Sequence, residues 1–453
     1  MDKKPIKNYI YNMVYQVVYL LAPLVVTPYI SRVLGAENIG IYSYTTSIIT
    51  YFTMFSSLGL TNYGIREVAY NQKNKEKLST IFCNIQTLKF ITSVIAVIAY
   101  FLYIKLVGKY EYLLFIQGIL LLANFFDITW FFQGVENFRI IVLRNIIIKT
   151  VGVVMVFVLV KGIDDLAIYT LIQVVTILIG NISLWLSLSK HISFISVKKL
   201  NPLYGFKEII ELFIPVIAVQ VYNVLDKTMI GITGMMDESG YYEQATKTIL
   251  LAMAFITSIS GVMSPRMAAK FANKDMCGFK KEIGLCFELV ITIACPVFFG
   301  VVAVSNSFVD CFFGPGYEPV KLLLRLYGFV LLIVPLSNLA SYGILTPIKK
   351  HNLSTIATII AELVVTLVYM YFCRAYIDAK ILLSGFIKKI LLAGCMSAIV
   401  YFSGQIMVDL HFNSAAITII QIFIGIIIYC AELFLIKDKS IVLIKQFISK
   451  KNN

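Results

Sequence analysis

Arg66-Glu67-Val68-Ala69-Tyr70-Asn71-Gln72-Lys73-Asn74-Lys75-Glu76-Lys77 is a polar stretch with four basic side chains, set between the apolar runs 39–60 and 79–104. Each run is long enough to cross a bilayer as a helix, which takes about 20 predominantly apolar residues. The alternation continues outward in both directions. Basic clusters at Lys3-Lys4-Lys7, Arg139 to Lys149, Lys190 to Lys207, Arg266 to Lys281 and Lys349-Lys350 are each separated from the next by two apolar runs. Cytoplasmic loops retain Lys and Arg, whereas translocated loops do not. A basic cluster in every second gap therefore predicts an all-α polytopic membrane protein with its N-terminus in the cytoplasm.

Composition agrees. The chain has 453 residues, of which 59% are hydrophobic and 14% charged, with mean hydropathy +0.84; soluble domains carry about 25% charged residues. The runs predict about thirteen spans, at 9–31, 39–60, 79–104, 112–132, 140–160, 166–188, 208–231, 241–263, 283–304, 320–345, 353–373, 381–402 and 415–436. A net charge of +14 invites a nucleic-acid reading, but the six basic clusters hold 21 of the basic residues, against Arg32, Lys105, Lys109 and Lys161 in the intervening loops. That asymmetry is topology, and it excludes nucleic acid as the partner. Anionic lipid head groups are a secondary contact, at about 1 kcal/mol per basic residue near the surface. The eight cysteines show no CxxC spacing and read as buried thiols, not metal ligands. The first run is too long for a signal-peptide core and carries Pro23 and Pro28, so it reads as a retained helix.

A repeat lies at an offset of 200 residues. Gly40, Tyr42, Thr46, Arg66 and Ala69 recur as Gly240, Tyr242, Thr246, Arg266 and Ala269, with Glu37 and Glu238 just before the glycines. Six spans separate the copies, so both enter the membrane from the same side, as in parallel repeats whose substrate site lies between them at mid-depth. The expected organisation is an N-lobe over 1–190 with six spans, a cytoplasmic linker over 191–207 and a C-lobe over 208–375. An appended pair of spans follows within 380–436, then a basic amphipathic tail over 437–453. Pro23, Pro28, Pro215, Pro296 and Pro335 are expected to bend their spans.

Ionisable groups inside spans cost about 2.5–3.5 kcal/mol on insertion scales, so they face a cavity or one another. Here Lys89, Arg144, Lys227, Lys247 and Arg325, with Arg32 at the end of the first span, outnumber the acids placed beside them, Asp127 and Asp226. Lys and Arg offer charge and donors to phosphate or carboxylate oxygens, so this cationic interior points to an anionic substrate. The bland alternative is that Asp226 neutralises Lys227 or Lys247 while Lys89 and Arg325 reach out toward the interface. Glu288, Glu362 and Glu432 are further acids at which a proton or sodium ion would couple. Aromatics at Tyr9 to Tyr19, Tyr42 to Phe52, Trp130 to Phe132 and Tyr241-Tyr242 fit an interfacial belt, or stacking on sugar rings.

Enzyme signatures are missing. The three histidines, His191, His351 and His411, have no second ligand at short spacing, and there is no GxxxxGK[ST] phosphate loop. The expectation is a protein that is not an enzyme and carries no cofactor.

Leu225-Asp226-Lys227-Thr228-Met229-Ile230-Gly231, then Glu238-Ser239-Gly240-Tyr241-Tyr242-Glu243-Gln244-Ala245 and Pro265-Arg266-Met267, resemble Wzx-type lipid-linked oligosaccharide flippases, polysaccharide transporters of the multidrug/oligosaccharidyl-lipid/polysaccharide exporter superfamily. Pro28-Tyr29-Ile30-Ser31-Arg32-Val33-Leu34-Gly35, the run Phe126 to Glu136, and Arg144-Asn145 carry the same likeness. The resemblance implies two six-helix lobes with a terminal pair and a cationic central cavity. It further implies translocation of undecaprenyl-pyrophosphate-linked repeat units across the bacterial cytoplasmic membrane, driven by an H⁺ or Na⁺ gradient, beside the polymerase and glycosyltransferases of surface-polysaccharide synthesis. One departure stands out: between Lys350 and Arg374 there is a single span with both ends basic, as though a helix were missing near 353–360. Two alternatives stay open, a drug/cation antiporter of the same superfamily and a polytopic polysaccharide polymerase or acyltransferase. The short predicted outer loops weigh against the polymerase.

Overall fold

A computed structural model of the chain describes residues 3–189, 191–193, 200–273, 275–340, 379–410 and 412–436. The expected span 353–373 with Glu362, the gap near 353–360, the linker residues 194–199 and the tail 437–453 lie outside the described residues. All regular structure among the described residues is helical. Seven helical segments there are long and apolar enough to cross a membrane: Lys75–Val107, Glu111–Gly134, Phe138–Leu159, Ile163–Leu188, Gly284–Phe312, Lys388–Asp409 and Ser414–Leu435.

The chain forms two compact units, Met1–Gly240 and Tyr241–Asn453. The first begins with α1 (Lys3–Ser57), which contains two of the expected spans and changes direction at Gly35, where φ is 76°. A side chain is strained at such a φ, and glycine is not. Next come α2 (Leu60–Tyr70) and α3 (Lys75–Val107). The turn between them is the stretch quoted at the outset, and Asn74 caps α3 by accepting the Lys77 N–H at 3.0 Å.

The expected fourth span is broken into α4 (Glu111–Gln117), α5 (Ile119–Phe125) and α6 (Thr129–Gly134). Helices α7 (Phe138–Leu159), α8 (Leu166–Leu188) and α9 (Phe206–Ile232) follow. Helix α9 lies on α1, tied by Thr228, whose hydroxyl donates to Ser47 Oγ at 2.8 Å and meets the Tyr51 hydroxyl at 3.2 Å. This packing sets the contact boundary at 240, beyond the polar linker at 191–207, so division by contact and division by repeat fall at different places.

At the end of this unit that carries Arg66, the core is aromatic. Trp130 stacks on Phe82 with centroids 5.7 Å apart, and Phe131 meets the same ring edge-on at 5.6 Å. Trp130, Phe131 and Phe132 are all buried, so in this unit these aromatics fill a core and do not form an interfacial belt.

The second unit holds most of α10 (Met236–Ala272), then α11 (Met276–Phe312), α12 (Glu318–Tyr327), α13 (Val330–Ala340), α14 (Ala379–Asp409) and α15 (Ser414–Leu435). The expected tenth span is also broken, at Gly328 between α12 and α13, as the fourth is at Gly118. Helices α14 and α15 pack on α11 and on each other. Ser397 donates to the Phe299 carbonyl at 3.1 Å, and Ser307 bonds Gln421 at 2.5 Å.

Candidate functional site

The break between α5 and α6 is where the interior polar residues of the first unit converge. Interrupting a helix leaves carbonyls without N–H partners, and inside a bilayer each such group must be satisfied by protein. Helix α3 supplies two side chains one turn apart: Gln86 donates to the Phe125 carbonyl at 2.9 Å, and Lys89 Nζ to that of Asp127 at 2.8 Å. Helix α8 supplies two more at i, i+4. Asn181 donates to the Ala123 carbonyl at 2.7 Å and Trp185 Nε1 to that of Phe126 at 2.8 Å. The Asp127 carboxylate accepts the Thr129 N–H at 2.9 Å and so starts α6.

Arg144 on α7 completes the network, donating from Nη1 to Asn181 Oδ1 at 2.7 Å and from Nη2 to Thr129 Oγ1 at 3.3 Å. One hydrogen-bonded cluster thus contains three of the residues singled out from sequence, Lys89, Asp127 and Arg144. It places a buried ammonium, 2% exposed, and a guanidinium next to a broken span. Asn181, Gln86 and Trp185 were not singled out. Their signal was present, since a polar side chain within an apolar run must find a partner and these occur at helical spacing from one another.

A second feature joins the repeat to itself. A Cβ built on Gly40 would lie 1.7 Å from the Met236 carbonyl oxygen, and one built on Gly240 would lie 2.0 Å from that of Ala36. The contact is reciprocal, because 36 and 236, like 40 and 240, are 200 apart. Two helix ends meet there closely enough that only glycine fits at either copy. Nearby on α9, Asp226 and Lys227 are partly buried and engaged with other residues, and Asp226 lies within Coulombic reach of the Tyr51 hydroxyl. Arg32, on α1, is exposed and also engaged.

In the second unit, Lys247 pairs with Glu243 at 2.9 Å. Arg325 donates from Nε to Ser305 Oγ at 2.8 Å and from Nη2 to Asn306 Oδ1 at 2.6 Å, while Lys321, one turn earlier, pairs with Asp310 at 2.6 Å. Among the described residues both partners of Arg325 are neutral. Lys389 on α14, 1% exposed, pairs with Glu288 on α11. Lys389 was not singled out from sequence, because it follows Lys388 at the edge of an apolar run and reads as part of a basic flank. In the turn between α10 and α11, Asp275 pairs with Lys270 at 2.9 Å and accepts the Gly278 N–H at 2.8 Å. Those contacts, the ammonium first, hold its carboxyl below the usual carboxylate range.

The profile of the family described as polysaccharide biosynthesis protein matches residues 6–271. An Escherichia coli (strain K12) protein named "Putative O-antigen transporter" is 25% identical over 353 residues, covering 75% of this chain and 82% of its own length. A Shigella dysenteriae protein of the same name is 23% identical over 252 residues, covering 55% and 63% respectively. Among solved structures, the MATE multidrug transporter DinF-BH superimposes with a TM-score of 0.52 at 14% identity, covering 97% of this chain and 96% of that one. MATE in the straight conformation gives a TM-score of 0.52 at 15% identity, covering 90% and 96%. At such identity the structural likeness speaks for the fold alone: this is an all-α polytopic membrane protein with a MATE-like fold.

Proposed function

We propose for this chain, which belongs to the polysaccharide biosynthesis protein family, the translocation of undecaprenyl-pyrophosphate-linked oligosaccharide repeat units from the cytoplasmic to the outer leaflet by alternating access. The coarser statement, a membrane transporter of polysaccharide biosynthesis, follows from the family and its relatives. The finer one rests on interior chemistry. Its central support is a guanidinium held by neutral partners, Arg325 by Ser305 and Asn306, a donor group that favours a diphosphate. Arg144, bonded to Asn181 and Thr129, adds a second guanidinium.

A drug/cation antiporter needs acids open to a cation, and here Glu243 and Glu288 are occupied by Lys247 and Lys389. The relatives carry the name O-antigen transporter, and we extend that class of cargo to this chain. The setting that fits is the bacterial cytoplasmic membrane with the N-terminus inside, a proton or sodium gradient as driving force, and the polymerase and glycosyltransferases of the pathway as neighbours.

The test is export in cells lacking their own flippase. Wild type restores surface polysaccharide, and the Arg325→Gln variant, present in the membrane at the same level, restores about tenfold less, equivalent to about 1.4 kcal/mol. Equal export by both removes the case for a cationic substrate path.

A further inference from the structure

Along the second half of α1, Thr46, Thr50, Thr53 and Ser57 recur at intervals of four, three and four residues, which puts their hydroxyls on one face of the helix. All four are partly exposed, whereas Thr45, Ser47, Ile49 and Ser56 beside them are buried. Helices α4 and α5 flank this face. Gln117, the last residue of α4, donates to Thr46 Oγ1 at 3.0 Å, and Ser57 donates to Asn124 Oδ1 on α5 at 3.0 Å.

Three of the hydroxyls commit their hydrogen within the helix or beside it. Thr50 donates to the Thr46 carbonyl at 2.7 Å and Thr53 to that of Thr50 at 3.0 Å, while Ser57 reaches the Thr53 carbonyl, at 3.0 Å, as well as Asn124. A hydroxyl has one hydrogen and two lone pairs, so what remains along this face is a row of acceptors roughly 16 Å long.

Back-bonding of this kind can simply hide a threonine in an apolar helix. Two observations go further. At the repeat offset of 200 residues, Leu250 and Met253 stand where the first copy has Thr50 and Thr53, so a helix at this place in the plan does not need those hydroxyls. Gln117, 1% exposed, bonds Thr45 at 2.9 Å and Thr46 through its amide nitrogen, while its oxygen has no partner among the described residues. Turning the amide round exchanges its ends and leaves the nitrogen unmet instead. A buried polar group in that condition is costly until something bonds it.

We propose that this face of α1, with Gln117 and Asn124 beside it, binds the hydroxyl groups of the glycan. Sugar hydroxyls donate as well as accept and recur along an oligosaccharide, so they match a row of acceptors. Phosphate oxygens only accept, and they are left to the cationic side chains. A bare metal cation fits no better, because it needs several oxygens converging on one point and these lie about one per turn. The assignment rests on the flippase reading and adds to it the part of the first unit that holds sugar.

The test is binding to the full-length protein in lipid nanodiscs, with undecaprenyl diphosphate carrying a neutral trisaccharide and undecaprenyl diphosphate alone as the two probes. Wild type binds the glycosylated lipid at least about tenfold more tightly. Thr50→Val/Thr53→Val, which keeps the side-chain shape and removes two hydroxyls, loses that preference and holds the bare lipid as wild type does; Thr50→Ser/Thr53→Ser retains the preference. If the valine variant does not fold, Ser57→Ala carries the same comparison. No preference in wild type, an equal loss for both lipids, or a variant indistinguishable from wild type overturns the proposal. The two readings fail separately. If the preference depends on these hydroxyls but reconstituted protein moves no lipid-linked glycan between leaflets, the sugar-binding face stands and the flippase reading falls. If glycan moves while the variant keeps its full preference, the flippase reading stands and the sugar-binding face falls.

Discussion

Lys89 illustrates how far a single residue can be read. From sequence it is an intramembrane cation, and cations of that kind point to an anionic ligand. In the fold its ammonium bonds the Asp127 carbonyl exposed by the broken fourth span. Lys89→Met leaves that carbonyl unsatisfied, at about 1–3 kcal/mol, so thermal unfolding in micelles moves to lower temperature; Lys89→Arg, which retains a donor, recovers part of the loss. Asn181→Leu costs more, because it strips both the Ala123 carbonyl and Arg144. Asp275 gives a prediction in pH. Its folded pKa lies below the unfolded value, so its contribution is present above the unfolded pKa, about 3.9, and is lost as pH falls through the lower folded value. Hydrogen exchange across 275–279, corrected for intrinsic rate, accelerates in acid in the wild type, and in Asp275→Asn is already fast at neutral pH. Single residues were thus legible as ionisable and interior, but their partners were not, because each partner lies tens of residues away.

At the scale of helices, apolar length and charge rhythm located the spans but were blind to their interruptions. Gly118, Gly328 and the segment 126–128 lie within runs apolar enough overall to read as single spans, and the carbonyls released at 123–127 are satisfied by α3 and α8. A local clue existed, since Asp127 two residues before Thr129 is a helix-start pattern, but in an apolar context it read as a charge with no helix to cap. The repeat was legible, and its physical reason appears in the close approach of Gly40 and Gly240. Because the contact is reciprocal, Gly40→Leu and Gly240→Leu are expected to destabilise by similar amounts, about 1–3 kcal/mol each from overpacking. Matched melting curves check this. A large effect at one glycine and none at the other would show that the two copies do not share one packing rule.

For the molecule as a whole, the family and the MATE-like fold give a polytopic transporter of polysaccharide biosynthesis, while the cargo is inferred from charge. The sequence displayed an excess of interior cations. It did not display that Lys247 and Lys389 are matched to carboxylates whereas Arg325 has neutral partners, and that distinction separates structural charge from charge available to a ligand. Arg325→Gln should therefore impair handling of a diphosphate-linked glycan more than Lys321→Gln, whose lysine already serves Asp310. The decisive measurement is leaflet-to-leaflet movement of a fluorescent polyprenyl-diphosphate oligosaccharide in vesicles containing the purified protein, beside the same lipid with an uncharged linkage. The account predicts protein-dependent movement of the diphosphate form, slowed about tenfold by Arg325→Gln, and little movement of the uncharged one. Equal movement of both lipids, or a wild-type rate no faster than in protein-free vesicles, would contradict it.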